Sequence, residues 1–213
     1  MSPPLEPSTP DDARAQAAAA LRRLGHALMG HEAAPEMLER VAAAATRVAV
    51  DLESEPARRR DLVELKRRMF EVEVADGERV IHFDECFVSG PWNPMGIAMD
   101  VRREGEEAVA EVELGPAFEG APGRSHGGIV AAVFDDVLGY MLTFLRQPGF
   151  TGELTVRYLA ATPIGQRLEF RARVTAREGR KIWAEAEATA ADGSVVASAT
   201  ALFIAVDAYR LRP

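Results

Sequence analysis

Apolar residues run almost unbroken from Ile129 to Leu145. Ile129, Val130, Val133, Phe134, Val137, Leu138, Met141, Leu142, Phe144 and Leu145 leave no polar face at helical spacing. Such a helix belongs inside a protein core or a membrane. Asp135 and Asp136 in its middle argue against a membrane span, where carboxylates are costly. Downstream the period drops to two. Leu168, Phe170, Ala172 and Val174 alternate with Glu169, Arg171, Arg173 and Thr175, which predicts a strand with one buried and one wet face. Segments 97–103, 108–114, 153–160, 166–177, 181–191 and 195–206 read as strands. Turns at Glu104-Gly105-Glu106, Pro163-Ile164-Gly165, Glu178-Gly179 and Asp192-Gly193 separate them. Small Ala184, Ala186 and Ala188 would admit a helix close to the sheet. The pattern predicts an α+β domain over 91–213: a long antiparallel sheet wrapped on one buried helix.

The first 90 residues follow a different pattern, that of a helical extension. Residues 1–10, rich in Pro and Ser, read as a disordered lead-in. Thr9-Pro10-Asp11-Asp12 has the capping hydroxyl, proline and acids of a helix start, and Gly30 marks the end of that helix. A second helix starts at Pro35 with Leu38, Val41, Ala45, Val48 and Leu52 on one face. A third follows Ser54-Glu55-Pro56 and turns Leu62, Leu65 and Met69 inward. Val80-Ile81-His82-Phe83 reads as a short strand, and Gly90-Pro91-Trp92-Asn93-Pro94 as the boundary.

Charge and cysteine usage narrow the function classes. A net charge of -8 argues against general binding of nucleic acid or anionic membranes. The basic runs Arg58-Arg59-Arg60 and Lys66-Arg67-Arg68 read as a solvated helix face. The single cysteine, Cys86, rules out an intrachain disulfide and a multi-cysteine zinc site, and reads as a buried apolar residue. His26 and His31 lack a carboxylate pattern for a metal. No metal or other cofactor is expected. The N-terminus shows no basic stretch followed by an apolar one, so the expectation is no signal peptide and a cytoplasmic location.

The chemistry concentrates at Ser125-His126-Gly127-Gly128 and the helix it opens. Two glycines leave the first amides open to close approach, and the helix dipole adds partial positive charge there. Such an end can hold an anion or a developing oxyanion. A buried acid on the same helix is either a structural pair or a working group. Asp135 is the better candidate for work, because Ala131, Ala132 and Gly139 one turn away leave room for a ligand. His126 and Asp135 are nine residues apart, roughly 13 Å along the axis and on opposite sides. One helix cannot bring its own acid to its own amide end. If both act on one substrate, a second copy must supply the other half.

His126-Gly127-Gly128-Ile129-Val130-Ala131-Ala132-Val133-Phe134-Asp135 is preceded by Asn93-Pro94-Met95-Gly96. Val156-Arg157-Tyr158 and Pro163-Ile164-Gly165 follow it. Together they resemble the hot-dog-fold acyl-CoA thioesterases of the phenylacetate-pathway (PaaI-like) type. The resemblance covers about residues 91–207. It implies hydrolysis of an acyl-CoA thioester by a homodimer or dimer of dimers. Asp135 would be the base or nucleophile, and the Gly127 N–H of the other subunit the oxyanion donor. His126 would orient the loop or touch the substrate, and Gly128 would serve helix packing close to the substrate. Thr151 matches a position where some relatives carry a water-placing Ser. Some relatives also carry an Asn six residues before the His; Gly120 stands there, leaving Asn93 as a substitute. Arg124, Arg157, Arg167, Arg171, Arg173, Arg177, Arg180 and Lys181 are candidates for the coenzyme A phosphates. The rival reading is a non-catalytic acyl-CoA-binding hot-dog module, a sensor or scaffold.

Overall fold

A computed structural model describes residues 9–59, 65, 69–71, 73–97 and 99–207. Helix α1 spans Pro10–Gly30, and Thr9 caps it by accepting the Asp12 N–H in a reciprocal capping box. Helix α2 spans Pro35–Glu53. The sheet is built from β1 (Asp100–Glu104), β2 (Glu107–Glu113), β5 (Gly149–Tyr158), β6 (Arg167–Glu178), β7 (Lys181–Ala190) and β8 (Val195–Ala205). Short strands β3 (Glu119–Ala121) and β4 (Arg124–Ser125) form a small hairpin before α3 (Gly127–Phe144). The large sheet is antiparallel in the order β1-β2-β6-β7-β8-β5. Gly105, Gly179 and Gly193 make the tight turns with φ of +59°, +56° and +84°, where a side chain would be strained.

α3 lies on the buried face of this sheet. Val133, Phe134, Val137 and Leu138 are fully buried against Leu168, Phe170, Ala184, Ala186 and Phe203. Phe134 meets Phe170 edge to face at 4.9 Å. Each large side chain sealed here contributes roughly 1.5–3 kcal/mol. The expected α+β hot-dog architecture is the observed one. α3 passes the length and composition of a membrane span, but half of it is buried inside the chain. The opposite face of the sheet carries cross-strand ion pairs. Arg102 and Arg167 reach Glu111, Arg171 reaches Glu104 and Glu107, and Arg173 reaches Glu185. Arg167, Arg171 and Arg173, candidates for phosphate contacts, are thus engaged with glutamates.

The packed unit begins before residue 91, inside the stretch read as extension. Val74, His82, Val88 and Ser89 are buried, and Val88 joins the core around α3. The expected strand at 80–83 does not form; contact with β1 is a single bridge just before it, Arg79 to Arg102, and the Val80 N–H donating to the Val101 carbonyl. Beyond it the chain leaves the sheet and carries His82 to α3. α1 is tied down by Ala18, by His26, whose Nδ1 accepts the Ala117 N–H at 3.1 Å, and by Arg22. The Arg22 guanidinium donates to the Pro91 and Asn93 carbonyls. α2 forms where expected, yet none of its described residues is buried. The third helix expected after Pro56 falls largely outside the described residues, as do residues 1–8 of the lead-in.

Candidate functional site

The β3–β4 hairpin sets the start of α3. The His126 N–H donates to the Phe118 carbonyl, and the Ser125 N–H donates to Thr162. His126 is the N-cap, its Nδ1 accepting the Gly128 N–H at 3.0 Å. That bond engages the Gly128 amide and gives His126 its observed task, fixing the first turn. The Gly127 N–H makes no hydrogen bond among the described residues. It is left at the positive end of the dipole. Tyr158 from β5 donates its hydroxyl to the Gly127 carbonyl at 2.7 Å, and its ring lies where a Gly127 side chain would go, 3.3 Å from an added Cβ. Gly120 has a steric cause: a Cβ there would lie 2.7 Å from the His126 Cα. The asparagine of some relatives has no room at this position.

Asp135 is exposed on α3, and the Thr151 hydroxyl donates to its Oδ1 at 3.0 Å. The register of β5 against β8 shifts between Thr151 and Glu153, so a bulge at Gly152 sits beside this pair. Asn93, the proposed substitute contact, has both ends of its amide engaged locally. Its Oδ1 accepts the Met95 N–H, and its Nδ2 donates to the Glu85 carbonyl. The structure therefore joins Asp135 with Thr151 and joins His126 with Gly127 and Gly128. Asn93 belongs to the 84–96 loop.

Asp136 points the other way, its side chain only 9% exposed. Oδ1 lies 3.3 Å from His82 Nε2 and accepts from Cys86 Sγ at 3.1 Å. Burial works to raise the carboxyl, but the bond to His82 and its charge outweigh that and hold Asp136 below the usual carboxylate range. Burial, the largest single influence, likewise works to lower His82; the bonds and charges of Asp136 and Cys86 together outweigh it and push the imidazole up to about 9. The His82 ring stacks on Tyr140 at 3.8 Å and 3°, and the Tyr140 hydroxyl donates to Ser89. Asp136 thus finds its partners in its own chain. Cys86, expected as a packing residue, is half-buried and hydrogen-bonded. No local pattern announces this network, because His82 and Asp136 are 54 residues apart.

Residues 123–197, spanning the end of the hairpin, α3 and β5 to β7, match the thioesterase superfamily model. A crystal structure of a thioesterase superfamily protein superposes with a TM-score of 0.76 at 29% identity, over 92% of this chain and 97% of that one. This superposition takes in α1 and α2 as well as the domain. Acyl-coenzyme A thioesterase THEM4 of Xenopus laevis is 36% identical over 97 residues, 45% of this chain. The chain spans 44% of that relative's length. The PaaI protein of E. coli, at 16% identity and a TM-score of 0.49 over 51% of this chain and 83% of that one, is more remote.

Proposed function

We propose that the protein hydrolyses an acyl-coenzyme A thioester to the free acid and coenzyme A. The observation that carries this reading is the Asp135–Thr151 pair: an exposed carboxylate on the core helix, held by a hydroxyl at a strand bulge. In the proposed reaction the thioester oxygen rests on the Gly127 N–H of one subunit. Asp135 comes from a second copy of the chain. It either takes a proton from water as the water adds to the carbonyl carbon, or adds itself to give an anhydride that water opens. In both routes the C–S bond breaks as the tetrahedral oxyanion collapses. Coenzyme A leaves as the thiolate and takes up a proton.

The two-copy arrangement follows from the axial separation along α3 and is supported by β5. This strand ends the sheet, with Phe150, Tyr158 and the adjacent Leu159 60%, 53% and 61% exposed. A panel of acyl-CoA thioesters assayed for free thiol tests the activity, and hydrolysis of none of them would refute it. Sedimentation tests the assembly: a fully active monomer at micromolar concentration would sink the shared site. The second reading, a module that binds acyl-CoA without cleaving it, draws on Gly120 in place of the asparagine. It predicts binding without thiol release.

A further inference from the structure

We propose that His82 Nε2, Cys86 Sγ and a carboxylate oxygen of Asp136 form a site for one divalent transition-metal ion, zinc by its donor set. The ion would clamp the 82–89 loop onto α3. The three ligand atoms lie within 4.8 Å of one another. Their separations from Asp136 Oδ1, 3.3 Å for His82 and 3.1 Å for Cys86, are close to the edges of a metal tetrahedron. Zinc bonds of about 2.1–2.3 Å give edges of about 3.4–3.6 Å at the tetrahedral angle. Seating an ion needs shifts of tenths of an ångström along these two edges, and the third, His82 to Cys86, which lies within 4.8 Å, must come to a similar length.

A second observation points into the same place. Asp136 Oδ2 is buried and has no hydrogen-bond partner among the described residues, an arrangement proteins seldom keep. The carboxylate thus keeps coordinating capacity that its protein partners leave unused, open to an ion held through either oxygen. The surroundings are those of a supported ligand. The Thr143 hydroxyl stands 3.4 Å from His82 Nδ1, and Tyr140 stacks on the ring, so the orientation that presents Nε2 is already held. One thiolate, one imidazole and one carboxylate favour zinc over magnesium or calcium, which take oxygen ligands. The exchange balances: the ion displaces the Cys86 thiol proton and the His82 Nε2 proton to solvent. With Asp136 ionised, the two negative ligands neutralise the divalent charge. Three protein ligands leave a fourth position for water.

Cys86 is the chain's single cysteine, which makes cobalt a specific reporter. Full-length protein without a histidine tag is stripped with chelator and titrated with Co²⁺. The expected result is one ion per chain, with tetrahedral ligand-field bands and a thiolate-to-cobalt charge-transfer band. Zinc should reverse the bands, raise Tm and protect Cys86 from a thiol reagent. Cys86→Ala, checked for folding by circular dichroism, should lose the charge-transfer band. Asp136→Asn should weaken binding at least tenfold. Absence of the band in folded wild-type protein, or a band that survives Cys86→Ala, would overturn the site. If Cys86→Ala fails to fold, thiol protection in the wild type decides: equal labelling with and without zinc also overturns it.

Discussion

Asp135 and Asp136 are adjacent in sequence, and a step of about 100° around α3 places them in different chemistry. Asp135 faces outward and holds one hydroxyl, that of Thr151. Asp136 faces inward and holds an imidazole and a thiol, with one oxygen left over. A strongly perturbed acid is an ordinary marker of a working site. Here the marker falls on Asp136, whose perturbation comes from partners inside its own chain, sealed by Tyr140 and Ser89. An acid so enclosed is suited to holding two segments together. An acid open to an incoming molecule, beside a bulged edge strand, is suited to acting on one.

The largest expected effects come from exchanging each acid for its amide. Asp135→Asn keeps the shape and removes the base or nucleophile, so kcat should fall roughly 10²–10⁴-fold with Tm unchanged. Asp136→Asn leaves His82 with a weaker partner and should destabilise the chain by about 3–5 kcal/mol, the usual result of breaking a buried pair. Hydrolysis per folded molecule should be near normal. Urea unfolding and thiol-release kinetics on both variants check the pair. If Asp136→Asn abolished turnover while Asp135→Asn left it intact, the two roles would have to be exchanged.

Smaller effects sharpen the open side. Thr151→Val removes the hydroxyl that holds Asp135 while keeping the volume. Losing one bond of about 1 kcal/mol from the transition state should lower kcat about fivefold. KM and Tm should move little, since the pair is exposed. A fall as large as that of Asp135→Asn would make Thr151 a reacting group. No change would leave it an ordinary strand residue.

The open side was largely legible because its signals are local. The apolar run of α3, the glycines before it and the two-residue alternation of β6 each lie within one short stretch of chain, as does the Thr9 capping box. The closed side depends on long-range pairing. Val80 to Phe83 has the composition of a strand, but pairing with β1 stops at Val80, whose N–H donates to Val101, and burying His82 beside α3 prevails over local preference. Tyr158 covering Gly127 was equally hidden, because 31 residues separate them. The exposed stripe of α2 shows the converse: periodicity located the helix, yet a pattern that calls for a partner does not say where the partner is.

The smallest effect extends the contrast to the histidines. His82 is enclosed with a carboxylate and pushed up, whereas His26 on α1 is half-buried, and burial together with the nearby Arg22 charge pushes it down. His26 docks α1 as a neutral acceptor of the Ala117 N–H, with its ring edge-on to Phe118 at 5.1 Å. Its folded value lies below the ordinary 6.5, so the neutral form is the one that folding favours. The docking contribution is therefore fully present above about pH 6.5 and is lost as pH falls through the lower folded value. Protonation turns the acceptor into a donor facing an N–H, next to a guanidinium. Protection of the amides over residues 10–30, taken relative to their intrinsic exchange rates at each pH, should be high near neutrality and fall in acid, ahead of protection in α3. His26→Asn offers an acceptor that does not titrate and should flatten that acid response. If α1 and α3 lost protection together in the wild type, or if His26→Asn kept the acid response, α1 would not be held by His26 titration.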